Sequence, residues 1–97
     1  MNNTVNVAIQ VLPKGEGIDV YGVVDKAIET IQQSGLVHVV CPFETVVEGP
    51  YKQIMELIDK VQDECFKHGA SELLTYIKIQ RSANGHVAIA DKTGKYS

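Results

Sequence analysis

Tryptophan is absent, and only two cysteines, Cys41 and Cys65, occur in the 97-residue chain. They lie far apart, form no CxxC pair and match no zinc-ligand spacing, so neither a redox dithiol nor a cysteine metal site is encoded. Each falls at an apolar position of its segment, and both are expected to be buried free thiols. Basic residues are not in excess: nine Lys and Arg stand against twelve Asp and Glu. That balance argues against nucleic acid as a partner. No apolar run approaches the ~20 residues needed to cross a bilayer. The opening "MNNTVNVAIQ" lacks the basic stretch and long apolar stretch of a signal peptide. A soluble cytoplasmic protein without membrane or nucleic-acid partners is the expectation. The length suits one domain over 1–97, with a core at 4–81 and a C-terminal tail at 82–97.

What is present is patterned. In "VNVAIQVL", residues 5–12, Val5, Val7, Ile9 and Val11 point one way and Asn6, Ala8, Gln10 and Leu12 the other, a strand with one strongly apolar face. "PKGEG" at 13–17 breaks it. Asp19 is placed to cap a helix carrying Val20, Val23, Val24, Ala27, Ile28 and Ile31 at helical spacing, with Gly35 ending it. Gly22 weakens that helix by about 1 kcal/mol relative to Ala. Strands follow at 36–43 and 44–49, joined by a tight hairpin at Pro42. Pro50 fits the first position of a second helix, whose buried stripe is Tyr51, Ile54, Ile58, Val61 and Cys65. "ELLTYIKIQ", 72–80, is a fourth strand. Residues 86–90, "HVAIA", are expected to add a short edge strand or to dock on a neighbour.

The order β-α-β-β-α-β gives an α+β, ferredoxin-like sandwich. It is a four-stranded antiparallel sheet in order 4-1-3-2, with both helices on one face. The first and third strands are expected side by side and parallel in its middle. The uncovered face must meet solvent, a ligand or another subunit. Alternation assigns it Ala8, Leu12, Val40, Val46 and Leu74, an apolar patch large enough to mark an interaction site. Self-association to a dimer or tetramer follows as an expectation.

The polar residues of that face are expected to gather. A hairpin turning about Phe43 sets His38 against Glu48 and Val40 against Val46. Gln10, His38, Glu48 and Tyr76 then rim one hollow, with Lys78 deeper along the sheet. A one-residue slip in register would scatter them. A carboxylate against apolar walls suits a cation or amine, Gln offers a donor beside an acceptor, and Tyr offers a flat stacking surface. Together they suit a small, aromatic, nitrogen-rich ligand. The plainer roles are a solvated Glu48, a packed His38, and a Lys78 that protects a sheet edge.

The segments "AIQVLPKGEG" (8–17), "TVVEG" (45–49) and "TYIKI" (75–79), each in its expected place, resemble the thiamine-binding family of small ferredoxin-like proteins, also called UPF0045 or DUF77. "IADKTGK" (89–95) resembles the tail of that family. The resemblance implies a cytoplasmic homo-oligomer that binds thiamine or its hydroxymethylpyrimidine part, is not an enzyme and carries no cofactor. It places Gln10, Thr45, Glu48 and Lys78 at motif positions, beside the His38 and Tyr76 that alternation selects. Under strict alternation Thr45 projects toward the helices. One departure is Glu44, where the family has a small residue; a charge there would close or retune the pocket.

Other functions fit less well. An acylphosphatase-like enzyme needs an Arg in a glycine-rich phosphate loop, and "PKGEG" offers only Lys14. An RNA-binding sheet needs exposed aromatics on central strands, whereas Tyr76 is the single open-face aromatic. No Ser-His-Asp or Cys-His arrangement is legible. The remaining rival is a regulatory or assembly module whose open face serves only subunit contact.

Overall fold

The computed structural model describes residues 3–90. β1 spans Thr4–Lys14, α1 Val20–Gln33, β2 Val37–Val40, β3 Thr45–Pro50, α2 Tyr51–Lys67 and β4 Glu72–Gln80. The sheet order is β2-β3-β1-β4, the expected order read from the opposite edge.

β1 and β3 pair antiparallel, not parallel as expected. The reason is topological. The β1–α1–β2 crossover returns the chain in the direction of β1, and the hairpin then reverses it into β3. β3 therefore runs against both of its neighbours. β1 also runs through Pro13 to Lys14, beyond the expected break. Its pairing with β3 ends at Ile9, so the missing Pro13 N–H lies on a free edge and costs no ladder bond. The β4 side stays paired through Lys14 and Glu72.

The core lies between sheet and helices. Val5, Val7, Ile9 and Val11 of β1 meet Val23, Ala27 and Ile31 of α1 and Ile54, Ile58 and Val61 of α2. Leu57 also joins this core from α2, one turn position outside the expected stripe. Asp19 caps α1, accepting the Gly22 N–H at 3.1 Å. Gly22 itself is explained by that cap, because a Cβ there would stand 2.5 Å from an Asp19 carboxylate oxygen. Gly35 follows α1 with φ 76°, the left-handed geometry of a helix stop. Pro50 is the N-cap of α2 and the last residue of β3, one position before its expected place.

Of the two thiols, Cys65 is buried in the core as expected, and burial, with Glu64 beside it, pushes its pKa up. Cys41 is only half-buried, because it follows β2 at the start of the hairpin turn, outside the core.

Candidate functional site

The hairpin decides where the site residues stand. The Cys41 N–H donates to the Glu44 carbonyl at 2.8 Å, which closes a two-residue turn over Pro42 and Phe43. The expected turn was centred on Phe43 and one residue longer. The observed register sets Val37 against Glu48 and His38 against Val47. A one-residue slip moves a whole strand to the other side. Val37 and Val39 thus lie on the open face with Glu48 and Val46. His38 and Val40 turn to the helix side, where the His38 Nδ1 lies 2.9 Å from the Leu36 carbonyl.

Antiparallel pairing separates Gln10 from Glu48. Asn6 is opposite Glu48, and Gln10 lies four residues further along β1, about 13 Å away at strand rise. Gln10 instead pairs with Tyr76 on β4. Beyond the Ile9–Thr45 pair, the next position on each strand is Gln10 and Glu44. Lys78, opposite Ala8, reaches across β1 to place its Nζ 3.8 Å from a Glu44 carboxylate oxygen. Gln10, Tyr76, Lys78 and Glu44 therefore gather at the hairpin end of the sheet. Glu44 entered the sequence argument only as a departure, and its place beside Gln10 emerges once the strands are set antiparallel.

Glu48 stands at the opposite end and has another partner. Its Oε1 accepts the Ile89 N–H at 2.7 Å. Ile89 and Ala90 are helical, and a carboxylate is favourable at the start of a helical turn. Around this bond residues 86–89 form a strap over the end of the open face. The Asn6 side-chain amide donates to the Val87 carbonyl at 2.6 Å, and the Val87 N–H donates to the Thr4 carbonyl at 2.9 Å. The His86 Nδ1 accepts the Thr4 N–H at 2.8 Å. Asn6, on a face left open elsewhere, is only 3% exposed as a result. The segment 86–90 thus docks on its own sheet and forms no strand. The family-tail motif at 89–95 extends from residue 91 outside the described residues.

Thr45 is 4% exposed and faces the helices, as strict alternation requires. It lines a cavity of about 140 Å³ between α1 and the hairpin. Ile9, Val11, Val24, Ala27 and Ile28 give it aliphatic walls, and Gln10, Glu44 and Thr45 its polar ones. Pro42 and Phe43 border it from the turn. Of the hairpin-end group, Gln10 and Glu44 line this cavity, and Tyr76 and Lys78 do not. Neither His38 nor Glu48 takes part. Such a space offers apolar contact to a ring, a hydroxyl within, and a carboxylate and an amide nearby.

Comparison with known proteins identifies the family. The model of the thiamine-binding protein family matches residues 7–97. A UPF0045 protein of Clostridium perfringens is 38% identical over 94 residues, covering 97% of this chain and 98% of that one. The solved structure of a DUF77 domain of unknown function from Bacillus cereus shares 38% identity with a TM-score of 0.95, over 100% of this chain and 93% of its own. A Thermotoga maritima structure, provisionally placed in thiamine biosynthesis or salvage, shares 31% identity with a TM-score of 0.87, over 97% and 99% of the two chains. On these matches, the chain belongs to the thiamine-binding protein family, UPF0045 or DUF77.

Proposed function

We propose that the chain binds thiamine, or its hydroxymethylpyrimidine part, without chemistry, in the cavity between α1 and the hairpin. The observation that carries this is the coincidence of a mainly aliphatic space with one buried hydroxyl, Thr45, in a chain of this family. An aliphatic cavity of about 150 Å³ accepts a benzene-sized ring. One ring of a two-ring ligand then sits inside, and the other remains at the hairpin end of the sheet. There the Glu44 carboxylate and the Gln10 amide, with Tyr76 and Lys78 beside them, meet the outer part. A cationic ring favours Glu44, and an aminopyrimidine edge matches the paired donor and acceptor of Gln10. Glu48 and His38 serve structure in this reading.

The protein acts as a cytoplasmic homo-oligomer, dimeric or tetrameric. Leu12, Leu74, Tyr76, Val37 and Val39 are exposed on the open face and supply its contact surface. Its two free thiols suit a reducing compartment. Among the described residues no helix is long and apolar enough to cross a membrane. The same apolar surface supports the second reading, an assembly module with no ligand.

Calorimetric titration with thiamine and with hydroxymethylpyrimidine tests the two. We expect binding by the wild type, and about fivefold weaker binding for Thr45→Val and Gln10→Ala, the cost of one hydrogen bond each. Glu48→Gln locates the site, since it leaves affinity unchanged for a ligand in the cavity and lowers it for one at the strap end. Absence of heat with both ligands leaves the assembly module.

A further inference from the structure

Phe43 is 81% exposed. Among the described residues only Tyr21, at 84%, is a more exposed large apolar side chain, and tyrosine carries a hydroxyl that water can satisfy. The two-residue turn does not call for an aromatic. Pro42 presets its entry, and small or polar residues are the usual occupants of such a position. Phe43 has no positive φ and is not part of the buried core. Yet it borders the cavity whose other apolar walls are aliphatic.

We propose that Phe43 is a stacking lid, whose ring folds over the outer face of a planar, electron-poor heteroaromatic ring held in the cavity above Thr45. This rests on the cavity being the binding site. The face of a phenyl ring is electron-rich and attracts cationic or electron-poor rings placed against it. An exposed side chain changes rotamer in picoseconds to nanoseconds, so closure needs no rearrangement of the backbone. The lid confers selectivity for flat aromatic ligands over saturated rings of equal size, which aliphatic walls alone do not distinguish.

The chain has no tryptophan, so Phe43→Trp introduces a single indole at the lid. Three variants, Phe43→Ala, Phe43→Leu and Phe43→Trp, are titrated with thiamine and hydroxymethylpyrimidine by calorimetry, and the last also by fluorescence. Phe43→Ala is expected to bind about tenfold more weakly, the usual loss of one ring stack, and Phe43→Leu to fall between it and wild type. The indole emission of Phe43→Trp is expected to change saturably, with the calorimetric affinity. Exposure of the side chain means that thermal melts of all three should match wild type, which separates lid from fold. The lid is overturned if Phe43→Ala binds as tightly as wild type while Thr45→Val is weakened, or if the indole signal stays constant through a saturating calorimetric titration. No heat from wild type removes the cavity reading and the lid with it.

Discussion

At the scale of single residues, Gly22 carries an instructive conflict. A glycine inside a helix ordinarily costs about 1 kcal/mol relative to alanine. Here a Cβ would displace the Asp19 carboxylate that caps α1. Loss of such a cap costs about as much as alanine gains. We therefore expect Gly22→Ala to give no increase in stability to urea, and the same substitution in an Asp19→Ala background to recover a gain of about 1 kcal/mol. A full gain in the single variant would show that the cap is inert. Cys65 gives a second expectation. Its raised pKa means that the folded state holds the thiol proton more tightly than the unfolded chain, whose ordinary value is 9.0. Stability from this group is present below pH 9 and is lost as pH climbs toward the folded value. Cys65→Ala should be weaker than wild type at neutral pH yet decline less steeply in alkaline unfolding titrations. A disulfide-exchange reagent should modify half-buried Cys41 in the native protein and Cys65 only after unfolding.

At the scale of elements, the strap holds the end of the open face through four hydrogen bonds described above, one of them to a carboxylate. A bond to a charged acceptor contributes about 1.5–3 kcal/mol and a neutral one about 1. Glu48→Ala is expected to lower stability by about 2 kcal/mol and to speed amide exchange at Thr4, Val87 and Ile89, whereas Asn6 and its neighbours toward Gln10 keep their sheet pairing. Unchanged exchange at Ile89 would mean that the tail is held by other contacts. The six elements were legible because each apolar repeat has one period and a turn residue at its end: Asp19, Gly35 and Pro50 punctuate it. The site was not. Its assembly depended on one count, whether the hairpin turns on two residues or three, and Pro42-Phe43 carries no Asn-Gly type signal to decide. The slip sent His38 behind the sheet. The direction of β3 follows from chaining the connections, and only a parallel β1–β3 pair would set Glu48 beside Gln10. Thr45 was placed correctly because alternation from Val47 needs no partner strand. The strap had no periodic pattern at all, and only the buried amide of Asn6 on an otherwise open face records it.

At the scale of the molecule, the extents of 46 × 31 × 20 Å describe a plate. A sheet and one layer of helices stack at about 10 Å per layer, so the thin dimension leaves no room for a third layer. The radius of gyration, 14.0 Å, exceeds the ~13 Å of a compact chain of this length for the same reason. The uncovered side keeps Leu12, Leu74 and Tyr76 in water. A specific dimer needs about 800 Å² from each partner. We expect sedimentation at tens of micromolar to give a dimer or larger species, and Leu12→Glu with Leu74→Glu to shift it to monomer without unfolding. A wild-type monomer at that concentration would mean that the plate is stable with its apolar side wet.

The bond from the Thr4 amide to the His86 ring ties the start of the first strand to the segment that follows β4. Joining residue 3 to residue 90 through a few glycines would therefore close the backbone into a loop with little cost in closure entropy. Such a gene, reopened between Glu16 and Gly17 in the exposed turn before α1, encodes a circularly permuted protein whose new ends lie outside every strand.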